Sequence, residues 1–164
     1  MLLGIRRQMT NGPSLDDIYR KFGEVSEAAQ LLETELGNLL LMNRALEAGL
    51  LEDNNPEKAA QIMDHINRST LGQLLWQLQG THDGLDRLND LLKVAKLERN
   101  RLSHSFYRQH NFRRNTDEGR VNMLKDLESM HEKIIDAYKA VLKLSGIDID
   151  KIELQGLPQN HVPI

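Results

Sequence analysis

One apolar stripe leaves the first third of this chain little choice of fold. Leu15, Ile18, Phe22, Val25, Ala29, Leu32, Leu36, Leu39, Asn43, Leu46 and Leu50 recur at alternating three- and four-residue spacing. That period winds side chains onto one face of an α-helix. It predicts a helix over 14–50, about 55 Å long at ~1.5 Å per residue. Such a helix needs other long helices to cover its stripe, from the same subunit or another. Ser14 stands where an N-cap belongs, with Asp17 as its capping-box partner. Asn43 interrupts the stripe with a polar group of the kind that fixes register.

Turn and cap signals divide the remainder. Asp53-Asn54-Asn55-Pro56 is a turn that ends on a helix-starting proline. Short helices are expected over 56–66 and 70–79, the second capped by Ser69 or Thr70 and carrying Trp76. Trp76 and the methionines read as core. A bend at Gly80–Gly84 precedes an expected helix over 84–109, a connector over 110–115, and a last helix over 117–145 capped by Thr116. Met123, Leu127, Met130, Ile134, Ala137, Val141 and Leu144 form its stripe, and Gly146 comes next at a C′ position. No strand alternation is present. The expected fold is all-α: an antiparallel helical bundle with two or three long helices and one or two short ones. The bundle domain is placed at 14–146, between a flexible leader over 1–13 and a C-terminal tail over 147–164.

The chain has no cysteine, so thiolate metal sites, cysteine nucleophiles and disulfides are excluded. No apolar run approaches the roughly 18 residues of a membrane span, and the apolar patch before Arg6 is too short for a signal-peptide core. No membrane association and a cytoplasmic location are the expectation. The net charge of −3 carries no global nucleic-acid signature, so any such site must be local.

That local site is Arg99-Asn100-Arg101-Leu102-Ser103-His104. The apolar positions Leu85, Leu88, Leu92, Ala95, Leu102 and Phe106 skip position 99, so Arg99 is expected on the packed or partner-facing side. A guanidinium there needs a carboxylate or an anion. Asn100 and His104 share a face at four-residue spacing, while Arg99 and His104 stand about 140° apart around the axis. Between Glu98 and Arg120 lie six of the chain's 21 basic residues, all arginine: Arg99, Arg101, Arg108, Arg113, Arg114 and Arg120. Phe106, Tyr107 and Phe112 are interleaved. Arginine grips phosphate bidentately and aromatics stack on unpaired bases. A solvated basic helix end is the ordinary alternative. The reaction that suits these groups is RNA cleavage through its own 2′-hydroxyl. His104 would move protons near neutral pH, Arg99 would offset phosphate charge and Asn100 would orient. The expected products are a 2′,3′-cyclic phosphate and a 5′-hydroxyl, with no metal or other cofactor.

Arg99-Asn100-x-x-x-His104 resembles the R-N-x3-H signature of the HEPN superfamily, whose motif also lies late in a long helix of a small all-α bundle. Ser105-Phe106-Tyr107 is similar to the small-then-aromatic run common after the histidine in that superfamily. The resemblance implies a homodimer with two motifs facing across a composite cleft, and metal-independent endoribonuclease activity. It also implies a setting in toxin–antitoxin or antiphage defence systems, with an antitoxin or other protein as partner. Some members of the family bind RNA or proteins without cutting. A non-catalytic RNA- or protein-binding adaptor is therefore the second expectation. A structural bundle with Arg99 ion-paired, for instance to Glu128, is the third. RNA docking is assigned to Arg101, Arg108, His110, Arg113 and Arg114.

Other candidates carry less. Glu128-Ser129-Met130-His131 is a lone E-x-x-H, where di-iron bundles use two. It reads as a salt-bridging pair at the core edge. His82-Asp83 lacks the partners of a metal phosphohydrolase. His65 and His161 stand in no constellation. Gly72 in Leu71-Gly72-Gln73-Leu74-Leu75 permits close helix packing but makes no phosphate loop.

Overall fold

The computed structural model describes residues 12–152, and His161 and most of the expected leader and tail lie outside them. Helix α1 spans Leu15–Glu47 (33 residues), α2 Pro56–Asn67, α3 Leu71–Leu78, α4 Asp83–Arg87, α5 Asn89–His104, α6 Phe106–His110 and α7 Asp117–Leu144. A 3₁₀ segment, Asn111–Asn115, joins α6 to α7. The fold is all-α.

The helix ends obey the capping chemistry expected of the sequence. Ser14 and Asp17 form a reciprocal capping box, as do Thr70 and Gln73, and Thr116 accepts from the Gly119 amide. Gly146 (φ +77°) closes α7, with the Ile147 amide donating back to Leu142. This is the Schellman pattern, which satisfies carbonyls that the last turn would orphan.

The three long helices run up, down and up. Lys21 meets His131 and Glu35 meets Ser145, so α1 and α7 run parallel. Arg101 meets Asp126 and Glu98 meets Lys133, so α5 is antiparallel to α7. Arg99 meets Glu33 and Phe22 meets Phe106, so the α5–α6 arm is antiparallel to α1 as well. Short helices α2 to α4 make the return. The core forms where the stripes converge: Ile18, Val25, Leu32 and Leu36 of α1, Leu92, Ala95 and Leu102 of α5, and Met123, Leu127, Met130 and Ile134 of α7. Asn43 lies at the far end of the α1 stripe and donates to the Thr81 hydroxyl.

Four expectations are corrected. The α1 stripe stops burying side chains after Leu40. Leu46 is exposed, and the helix ends three residues before Leu50 because Gly49 turns to φ +69°. The expected helix over 84–109 is broken at Leu88 and again at Ser105. The Ser105 hydroxyl bonds back to the Arg101 carbonyl and its φ is −140°, a contact that bends helices. Trp76 is 73% exposed. Helix α3 buries Leu71, Leu74 and Leu78, which turns Trp76 about 170° away from the core side. Among the methionines, Met123 and Met130 are core while Met42 and Met63 are exposed.

Candidate functional site

The three motif residues sit on the last two turns of α5, and their helix positions decide what each faces. Arg99 lies at the edge of the buried stripe, as its position in the seam required. Its Nε is 2.7 Å from Glu33 Oε1 on α1, and its Nη1 donates to Asn100 Oδ1 at 3.3 Å. Both charged side chains are 23% exposed. Although the two ions touch, Glu33 Oε1 is buried without a hydrogen bond of good geometry, so the N–H does not point along the contact. The partner of Arg99 is thus Glu33, and not Glu128, which is exposed on α7.

Asn100 and His104 face the opposite way, into solvent. They share a shallow depression with Leu97, Glu98, Arg101, Ser105 and Arg108. Arg108 Nη2 donates to the His104 carbonyl at 3.3 Å, which holds its guanidinium near the imidazole. Leu97 is 66% exposed beside them. Within one subunit, then, Arg99 reaches the depression only through Asn100.

Two of the docking assignments are held by carboxylates: His110 is buried, while Arg101 still lines the depression. Arg101 places both terminal nitrogens on Asp126, at 2.8 and 2.7 Å, and its Nε on Glu98 at 2.9 Å. His110 is 4% exposed, with Nε2 2.6 Å from Asp126 and Nδ1 3.2 Å from Arg113 Nη1. Because arginine can only donate, Nδ1 is the acceptor and Nε2 carries the proton toward Asp126. The kink at Ser105 swings α6 inward and stacks His110 against Phe106. A group sealed this way does not meet RNA. Arg108, Arg113 and Arg114 stay exposed, though Arg113 is tied to His110 and Arg114 donates to the Tyr19 hydroxyl at 2.9 Å.

Asp126 is the residue that sequence reasoning missed. Burial alone would raise its pKa, but the hydrogen bonds from Arg101 and His110 outweigh that and hold it below the ordinary aspartate value. Glu98 behaves alike: burial pushes up, but Lys133 and Arg101 hold it below its ordinary value. Arg101 is pushed above its ordinary value, first by Asp126. Nothing in sequence spacing joins positions 101 and 126. Glu33, beside Leu32 on the α1 stripe, was likewise invisible as the partner of Arg99.

The remaining described histidines have structural partners. His82 Nδ1 accepts from the Gly84 amide and caps α4, and His65 lies 3.2 Å from Gln77. His131 faces Lys21 at 3.0 Å instead of Glu128. Among the described residues no group of three or more His, Asp or Glu is placed to hold a metal, and no helix is long and apolar enough to cross a membrane.

The class this defines is an all-α helical bundle with a basic, partly aromatic surface around the end of α5. No family model, no curated protein and no solved structure matches the chain.

Proposed function

We propose that this protein is a HEPN-like endoribonuclease that cleaves RNA through the 2′-hydroxyl without a metal. The observation that carries the reading is the solvent-open depression shared by Asn100, His104 and Arg108, with Arg99 hydrogen-bonded to Asn100 at its back. In the reaction the His104 imidazole takes the 2′-hydroxyl proton, and the 2′-oxygen attacks phosphorus. The P–O5′ bond breaks, and the departing 5′-oxygen takes a proton from water or from the His104 imidazolium of a second copy. Exposed Leu97 beside the histidine suits such a homodimer, in which two motifs face one another. Arg108 opposes the charge that grows on the phosphate oxygens, and Arg99 acts through Asn100. Asn100 holds both the guanidinium and the RNA in register.

The test is purified protein with RNA in EDTA. Wild type is expected to release 2′,3′-cyclic phosphate ends, and His104→Ala to release none while its melting curve is unchanged. Unaltered cutting by that variant removes the assigned role.

The Arg99–Glu33 contact favours a second reading, a non-catalytic RNA- or protein-binding adaptor. In that case wild type binds partners, no RNA yields cyclic phosphate, and motif variants bind normally. A role in toxin–antitoxin or antiphage defence, with a protein antitoxin as partner, is the proposed biological setting for the first reading.

A further inference from the structure

The exposed face of α5 does not end at the motif. Lys93, Lys96, Leu97, Asn100 and His104 fall within about 100° of one another around the axis, and Lys93 and His104 are about 16 Å apart along it. Where this face passes α3 it meets Trp76. Trp76, Gly72, Lys93, Lys96 and Asn89 line a concavity of about 280 Å³ with an apolar floor that includes Leu75 and Leu92. That volume falls just below the range of small-molecule sites, roughly 300–1,000 Å³, which suits one planar ring. An indole 73% open to water, beside a pocket rimmed by two ammonium groups, is unexplained by folding.

The rim chemistry narrows the occupant. The Lys96 stem lies against α3, its Cδ an ordinary van der Waals distance, 3.7 Å, from where a Cβ on Gly72 would stand. Lys93 has only a loose contact with Asp90, at 3.7 Å, and both are well exposed. The rim's one carboxylate, Asp86, is turned to accept from the Gly80 amide. Cations around an aromatic face suit an unpaired base and its flanking phosphates.

We infer that Trp76, Lys93 and Lys96 form a subsite for single-stranded RNA, in which the indole stacks one unpaired base while the lysines hold the adjoining phosphates. The subsite rests on the ribonuclease reading for its purpose and extends the track from His104 toward the N-terminal end of α5. It selects single strands, because a paired base cannot offer its face to the indole.

Trp76 is the sole tryptophan, so its emission reports the site directly. The probe is a 2′-O-methyl RNA octamer of mixed sequence, which binds but lacks the attacking hydroxyl. Titrated into the full chain, it is expected to quench Trp76 with the same midpoint that anisotropy of a labelled octamer gives. Trp76→Ala is expected to weaken binding about tenfold, as loss of one base–aromatic stack does. Lys93→Ala with Lys96→Ala is expected to lower the slope of log affinity against log salt by about 1.4, as two lost single-strand phosphate contacts do. A duplex of the same sequence leaves the emission unchanged.

Octamer binding without quenching, with Trp76→Ala binding like wild type, overturns the subsite and leaves the ribonuclease reading standing. Absence of any octamer binding also overturns it. An emission change driven by protein concentration alone assigns the indole to a contact between copies and overturns it too. Quenching by an octamer whose 2′-hydroxyl counterpart is never cut keeps the subsite and removes the ribonuclease.

Discussion

Replacing Asp126 by alanine should be the most damaging single change near the candidate site. Asp126 is the shared acceptor for two Arg101 nitrogens and for buried His110, at 2.8, 2.7 and 2.6 Å. Alanine strands a guanidinium that keeps Glu98 and a long bond to Gln109, and an imidazole N–H that keeps nothing. Breaking a buried pair from one side costs about 3–5 kcal/mol. Arg101 is 28% exposed, so water recovers part of that, leaving roughly 2–3 kcal/mol. At about 2–4 °C per kcal/mol for a chain of this size, the melting temperature falls by about 5–10 °C. Asp126→Asn can keep its oxygen toward His110 and Arg101 Nη1, but its amide then meets Arg101 Nη2 with another donor, so about half the loss remains. The assay is thermal and urea unfolding of wild type, Arg101→Ala, Asp126→Ala and the double variant. The double variant should lose at least about 1 kcal/mol less than the sum, since the two share one interaction. A melting temperature for Asp126→Ala within about 1 °C of wild type refutes the reasoning. So do additive losses.

Gly119→Ala should destabilise by about 1–3 kcal/mol or more, read as a lower urea midpoint at constant slope. Its Cβ would land on the Arg113 carbonyl, which is backbone and has no rotamer to yield. Glu33→Gln should release Arg99 toward the phosphate and raise RNA affinity several-fold by anisotropy. Unchanged affinity with lowered stability would make that arginine a structural ion-pair partner only. Stability should fall as pH drops from 7.5 to 5.5. Burial and the neighbouring Lys21 ammonium hold the His131 pKa below its ordinary value, against weaker opposition from Glu24 and Glu132. The unfolded chain therefore takes up that proton first, and stability rises with pH through the window below about 6.5. His131→Gln should flatten the dependence, and an unchanged pH profile would exclude this histidine as its source.

The helical class, the three long rods, the start of the first and both ends of the last were legible in the chain. They depend on local interactions: apolar period, the Ser14, Thr70 and Thr116 caps, Pro56 and Gly146 each act within a few residues. The inward turn of Arg99 was legible for the same reason, because a gap in a regular seam is itself a local signal. What the tertiary structure decided were the partners. Glu33 lies 66 residues from Arg99 and Asp126 lies 25 from Arg101, by subtraction of their numbers. No spacing rule joins positions on different helices. The up-down-up packing brought each carboxylate to its arginine, and the Ser105 kink carried His110 into the core. The same packing left Trp76 outside, because three leucines on a two-turn helix had already claimed its buried side.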